Sequence, residues 1–213
     1  MSYRERVYVW ELPVRLAHWV IAVSFVVLGV TGVYIGHPFI IGGRFVMGWM
    51  RAIHFYFAIA FTLAVVARLA WMFQGNKYAR WDQFLPVHRN RLRGLLPTMR
   101  FYVSNFRKPP GYVGHNPLAG LDYTVIFLLH FALIATGFAM YAASAAYGSP
   151  MQLFGFLAPL FGGLQTARLI HHVAMWLVAG FAVHHIYSSI VMSTVEANAT
   201  IESIFSGYKF VKR

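Results

Sequence analysis

The sequence predicts an all-α integral membrane protein, a four-transmembrane-helix bundle with both termini in the cytoplasm. Hydrophobic residues make up 59% of the 213 and charged residues 11%, a balance too apolar for an ordinary soluble domain. Four runs, Leu16 to Gly36, Trp49 to Phe73, Tyr123 to Tyr147 and Leu169 to Met192, reach the roughly 20 mainly apolar residues that a bilayer core about 30 Å thick requires. The positive charge also sorts by side. Arg4, Arg6 and Arg15 precede the first run, eight Lys and Arg lie between the second and third, and Lys209, Lys212 and Arg213 follow the fourth. The other two connections carry only Arg44 and the edge residues Arg51 and Arg168. By the positive-inside bias the long middle loop and both ends face the cytoplasm. The net charge of +12 is thus a matter of membrane orientation, and no nucleic acid is expected as a partner.

The first run reads as a retained helix: Met1 to Glu11 is polar, and the apolar stretch is too long, without a small-residue cleavage site, for a removable signal. His37 to Gly48 is short and Gly-rich, making the first two helices antiparallel neighbours. The second run carries Arg51 and Arg68 near its two ends. In the long connection Leu95, Leu96, Met99, Tyr102, Val103 and Phe106 recur at helical spacing, with Arg93, Arg100 and Arg107 on another face. That pattern predicts a short amphipathic helix lying on the inner membrane surface. Pro109, Pro110 and Gly111 break it, and the turn-rich segment from Gly111 to Leu118 leads into the third helix. Met151 to Gly163 is apolar but interrupted by Gly155, Pro159, Gly162 and Gly163, which suits a re-entrant or interfacial segment, or a partner's docking surface, better than a span. Thr31-Gly32 in the first helix is echoed by Thr136-Gly137 in the third; such small residues either admit something bulky or serve helix packing. The absence of cysteine excludes disulfides, cysteine-ligated clusters and thioether-attached haem on this chain.

The ten histidines carry the functional signal. His18, His54, His130, His171, His172 and the pair His184/His185 fall in apolar spans, where ionisable side chains are costly and point to function. At about 100° per residue, His171 and His185 alone, among the four combinations of early and late histidines in the fourth helix, return to one face. They stand roughly 21 Å apart along it. His54, near the outer start of the second helix, matches the depth of His171, and His18, at the cytoplasmic start of the first, matches His185. Two cross-helix pairs result. Two-histidine sites lacking Cys or carboxylates make poor zinc or copper cages but fill both axial positions of a haem iron. An iron so saturated transfers electrons. Arg15, Arg51 and Arg168 each precede a proposed ligand by three residues and share its helix face, where a guanidinium holds a haem propionate or a lipid phosphate. In a different helix arrangement His130 would replace one of the four.

Two stretches resemble the cytochrome b subunit of membrane-bound nickel–iron (NiFe) hydrogenases: Arg15-Leu-Ala-His18-Trp19 followed by Leu28-Gly-Val-Thr31-Gly32, and His171-His172-x-x-x-Trp176 continuing through Phe181 to His185. The resemblance covers nearly the whole chain, supported by Tyr8 to Arg15, Arg51-x-Ile-His54-Phe55, Gly75-Asn76, Tyr112 to Ala119 and Ser206-Gly207-Tyr208. Formate dehydrogenase gamma subunits are similar at a greater distance. The resemblance implies a single di-haem cytochrome b domain over residues 1–213, in the bacterial cytoplasmic membrane, with two haem b on His18, His54, His171 and His185. It also implies a hydrogenase small iron–sulfur subunit on the outer face, with the large NiFe subunit behind it and no hydrogen chemistry on this chain. Quinone is the implied electron acceptor, near the inner haem, where Gly114-His115-Asn116 meets the end of the fourth helix. His115 is the candidate proton donor or quinone hydrogen-bond partner, because imidazole exchanges a proton near neutral pH; Tyr112 and Asn116 share its loop. His184 departs from the family pattern, since an apolar residue is expected directly before the ligand, and His172 has either a supporting or a packing role. Three other readings stay open: the membrane subunit of a formate or thiosulfate redox enzyme, a free-standing cytochrome b561-like quinol oxidase, and a non-redox anchor or transporter whose histidines serve protons.

Overall fold

The computed structural model describes residues 4–85, 88–104 and 111–212. Phe106, Arg107, Lys108, Pro109, Pro110 and Arg213 lie outside the described residues. The fold is mainly helical. In chain order it runs β1 (Arg4–Tyr8), α1 (Leu12–Gly36), α2 (Met47–Gln74), α3 (Arg89–Val103), α4 (Pro117–Ser144), α5 (Leu157–Leu160), α6 (Leu164–Glu196), α7 (Thr200–Ser206) and β2 (Tyr208–Lys212). Four of these helices, α1, α2, α4 and α6, are long and apolar enough to cross a membrane, and only between 11% and 28% of each one's apolar window is buried within the protein. The remaining apolar surface has no polar shell to hide it from water, as a lipid-solvated protein requires.

The spans differ from the apolar runs at their ends, because hydropathy sees the bilayer core and not the helix caps. Helix α4 starts at Pro117, where the fixed φ of proline suits a first helical position, and Asn116 caps it by accepting a bond from the Ala119 amide at 2.8 Å. It stops at Ser144, short of Tyr147, which is fully exposed. Helix α6 extends beyond the predicted Leu169 to Met192 in both directions.

Two compact units can be described, one comprising Met1–Asp122 with Ser188–Arg213, the other Tyr123–Tyr187. In the first, α1 and α2 pack as the expected hairpin. Buried Tyr34 closes their connection by donating to the Phe39 carbonyl at 2.9 Å and accepting from the Val46 amide at 3.0 Å. The two terminal segments, not expected to be strands, pair antiparallel from Arg4↔Lys212 to Tyr8↔Tyr208. An even number of spans leaves both on one side of the membrane, the side that the positive charge marks as cytoplasmic.

Beneath this ribbon lies a small core of Val9, Trp10, Val14 and Ala79. Polar ties surround it. Trp10 donates to the Ser203 hydroxyl at 3.0 Å, and one Glu11 carboxylate oxygen accepts from the Trp71 indole at 2.9 Å and the Asn76 amide at 2.8 Å. Gly207, at φ 89°, accepts from the Val9 and Trp10 amides. A Cβ there would sit 2.6 Å from the Tyr8 ring and 2.7 Å from the Trp10 carbonyl, so glycine is required by backbone angle and by space. Arg68, near the end of α2, is buried with both terminal nitrogens 3.3 Å from the Ala79 carbonyl, under the Phe84 ring.

The predicted amphipathic helix is α3, and the face it turns to the rest of its unit is separate from its apolar stripe. Gly94, Thr98 and Phe101 are buried, whereas Leu92, Leu96, Met99 and Val103 form an exposed apolar stripe with Arg89, Arg93 and Arg100 exposed beside it. Helix spacing places 92, 96, 99 and 103 on one line. Small residues pack inward because the helix backbone approaches closely: a Cβ on Gly94 would lie 2.2 Å from the Tyr112 hydroxyl. In the second unit, Met151 to Gly163 breaks into a 3-10 segment (Pro150–Phe156) and the single turn of α5, too short to span. Phe154 stacks on Phe138 of α4 at 4.7 Å.

Candidate functional site

Within the first unit, His54 sits one turn after exposed Arg51 on α2 and turns toward Thr31-Gly32 on α1. The Thr31 hydroxyl donates to the Val27 carbonyl one turn back at 2.7 Å, and His54 Nδ1 lies 2.9 Å from the same oxygen. With the hydroxyl proton held by the carbonyl, the imidazole must donate through Nδ1. Its Nε2 lone pair is then left for a metal. Gly32 makes room for the ring: a Cβ there would be 3.4 Å from His54 Cε1.

The second unit repeats the arrangement on α4 and α6. The Thr136 hydroxyl donates to the Ala132 carbonyl at 2.5 Å, His171 Nδ1 lies 2.9 Å from it, and a Cβ on Gly137 would be 3.3 Å from His171 Cε1. Further along α6, His185 Nδ1 lies 3.0 Å from the Tyr123 hydroxyl and its ring stacks on Phe181 at 5.6 Å. His171 and His185 therefore both turn toward α4, as the 14-residue spacing predicts. His184 is exposed. His172 is exposed too, with Nδ1 2.8 Å from the Arg168 carbonyl of its own helix.

His18 is half-buried on α1, edge-on to Trp19 at 5.2 Å. Arg15, one turn before it, donates to the Phe205 carbonyl of α7. Arg168 is exposed, its Nη1 2.6 Å from the Gln165 side chain. His130 is buried on α4 beside Phe127.

The loop before α4 carries the remaining predicted residues. His115 stands between the Trp10 ring at 4.8 Å and the Phe84 ring at 5.4 Å, and its carbonyl accepts from Arg91 at 3.2 Å. Arg91 also holds the Gln83 side chain and carbonyl at 2.9 and 2.6 Å. Burial lowers the Arg91 pKa from its ordinary value, with Tyr112 and Asp82 opposing the shift. Lys77, Tyr78, Asp82, Gln83, Tyr112 and His115 line a cavity of about 380 Å³. Asp82 Oδ1 is buried beside it without a hydrogen-bond partner among the described residues. Asn116, by contrast, is buried as the cap of α4, its amide 3.3 Å from the Tyr102 hydroxyl. Burial raises the Tyr102 pKa, with the Asn116 bond opposing it.

In the sequence Thr31-Gly32 and Thr136-Gly137 are not tied to particular histidines, and Tyr123 stands out only as the start of an apolar run. A threonine 23 residues before one histidine and another 35 before the next give no common spacing to read. The fit of a haem iron rests on this chemistry: His54, His171 and His185 are imidazoles anchored through Nδ1, as histidine ligands are held by a bond to the other ring nitrogen.

The family model described as prokaryotic cytochrome b561 matches residues 9–207. The chain is 36% identical to a probable Ni/Fe-hydrogenase B-type cytochrome subunit of Cupriavidus necator, over 96% of this chain and 87% of that protein. Proteins of the same description from Bradyrhizobium diazoefficiens, 37% identical over 96% and 86%, and, as hydrogenase 1, from Escherichia coli K12, 32% identical over 95% and 90%, are also similar. The match runs from Val9, just after the strand that opens the fold, to Gly207, just before the strand that closes it, so the chain belongs to the prokaryotic cytochrome b561 family.

Proposed function

We propose that this chain is the b-type cytochrome subunit of a NiFe hydrogenase in the bacterial inner membrane, carrying electrons from the iron–sulfur chain of a periplasm-facing hydrogenase to the quinone pool. Residues 1–213 act as one membrane domain. His54 with His171, and His18 with His185, are the two pairs that would each hold one haem b. When bound, these haems supply one-electron carriers toward the outer and inner sides of the membrane. The observation that carries the reading is the anchoring of His54 and His171 through Nδ1 in matching Thr-Gly surroundings, the way histidine ligands are held by their other ring nitrogen.

The protein's own residues have distinct tasks. Arg51 and Arg168, one turn before their histidines, would help hold propionates of the outer haem, and Arg15 would do so for the inner one. On the cytoplasmic side His115, with Tyr112 and the cap residue Asn116 on its loop, serves quinone reduction. The cavity it shares with Lys77 and Asp82 offers exchangeable protons, and imidazole is a side chain suited to passing a proton to a bound quinone. Quinone takes up two electrons and two protons. If those protons come from the cytoplasm while the two from hydrogen are released outside, turnover moves charge across the membrane.

Gentle solubilisation of tagged chain from its native membrane tests the assignment. Co-isolation with a small iron–sulfur subunit and a nickel-containing subunit, and reduction of added quinone under hydrogen, are expected. Co-isolation with a formate or thiosulfate enzyme, or of the chain alone, would contradict it.

A further inference from the structure

The two threonine–histidine contacts are more than similar in length. His54 is the eighth residue of α2 and His171 the eighth of α6. Both follow an arginine by three residues and an isoleucine by one, and both face a Thr-Gly pair on the preceding long helix. Each threonine hydroxyl is bound twice within its own helix, to the carbonyls four and three residues back: Val27 and Leu28 for Thr31, Ala132 and Leu133 for Thr136. Each then meets Nδ1 at 2.9 Å, and each following glycine clears the same Cε1 edge at 3.4 and 3.3 Å.

The correspondence continues along the helices in the same register. Thirteen residues before Thr31 stands His18, and thirteen before Thr136 stands Tyr123, whose hydroxyl meets His185. Fourteen residues after His54 stands Arg68, and fourteen after His171 stands His185. One two-helix plan is written twice, α1–α2 and α4–α6. The Thr-Gly/His layer is kept in both copies, while the other layer has diverged. A packing role would require only small size at 31 and 136. It would not require a hydroxyl at the same place in both copies, engaged the same way.

From this we infer that Thr31 and Thr136 are positioning residues for the haem ligands His54 and His171. By donating to its own helix, each threonine presents an oxygen that can only accept from Nδ1–H. This fixes the tautomer with Nε2 toward the iron, sets the ring plane, and makes the imidazole a stronger donor to oxidised iron. The inference rests on the proposed reading of His54 and His171 as ligands of one haem.

The test compares Thr31→Val, Thr136→Val, Thr31→Ser and Thr136→Ser in the purified holo-complex. Haem content, the low-spin ferric resonance spectrum and a redox titration resolved for both haems are measured. Valine keeps the shape and removes the acceptor, so each valine variant should raise the midpoint potential of one haem and alter its resonance, or lose that haem. The serine variants should restore wild-type behaviour, and both positions should act on the same haem. Valine variants with unchanged potentials and spectra would overturn the inference. So would serine variants as impaired as valine, since the methyl group and not the hydroxyl would then be at work. Effects on two different haems would support positioning and refute the shared haem; absence of haem from the wild-type complex would refute the underlying reading itself.

Discussion

An imidazole that binds iron through Nε2 must place its Nδ1 proton somewhere, and in an apolar span the choices are few. A buried donor left without a partner costs about 1–3 kcal/mol, so the residue that accepts the proton is part of the site. Thr31 and Thr136, whose hydroxyls donate to their own helices, stand as acceptors for His54 and His171, and the Tyr123 hydroxyl lies 3.0 Å from His185 Nδ1. The surroundings of the adjacent pair agree with helical spacing in favouring His185 over His184 as the proposed ligand. His184 is exposed, whereas His185 is held against Tyr123 and Phe181. Replacing His185 by leucine is expected to remove one of two haems, as read from the pyridine haemochrome spectrum, and the same change at His184 should remove none. Equal loss from both, or loss from His184→Leu alone, would invert the assignment. The histidines themselves were legible from sequence, since they stand out in apolar runs. Their acceptors were not, because threonine and tyrosine are unremarkable residues in a helix until the partner helix is known.

At the level of elements, the spans follow from hydropathy and the rest follows from contacts distant in sequence. The β1–β2 ribbon joins residues about two hundred positions apart, and strands of five residues with no alternating pattern cannot be read from local periodicity. The motif stretches Tyr8 to Arg15, Gly75-Asn76, Tyr112 to Ala119 and Ser206 to Tyr208, which read as separate signals along the chain, largely meet around Trp10 in one cytoplasmic cap. Helix α3 was legible as an element, but its inward face was chosen by close packing at Gly94 and Thr98, a geometric preference that hydropathy does not encode. The cap also contains a titratable strain. Lys209 is buried beside Trp10, and desolvation lowers its pKa from the ordinary 10.5, with the Glu196 charge opposing the shift. Below the lowered pKa the fold bears the cost of a buried charge. Between the lowered and ordinary values the unfolded chain binds more protons, so stability rises with pH. Thermal unfolding of the detergent-solubilised protein should therefore show the gain from Lys209→Met shrinking as pH is raised from 7 toward 10. A gain independent of pH would mean that Lys209 is not the group concerned.

For the whole molecule, four helices of membrane-spanning length carry apolar outer surfaces, and histidines on α1, α2 and α6 are the proposed haem ligands. The duplicated α1–α2 and α4–α6 plan explains why the proposed outer ligands are alike in their surroundings. It also explains why the inner ones differ: His18 is matched in the second copy by Tyr123, and His185 in the first by Arg68. Membrane class, span number and histidine spacing were all legible in the sequence, because each is a one-dimensional property of a helix. The division into two like halves was visible only as the Thr-Gly echo, since most other paired positions have diverged. The proposed electron route requires that this one chain carry two b haems, each between two histidines. Haem quantification by the pyridine haemochrome method against protein mass, on the purified chain of 24.2 kDa, tests it most directly: two haem b per chain are predicted, and one or none in fully loaded, folded protein would contradict it.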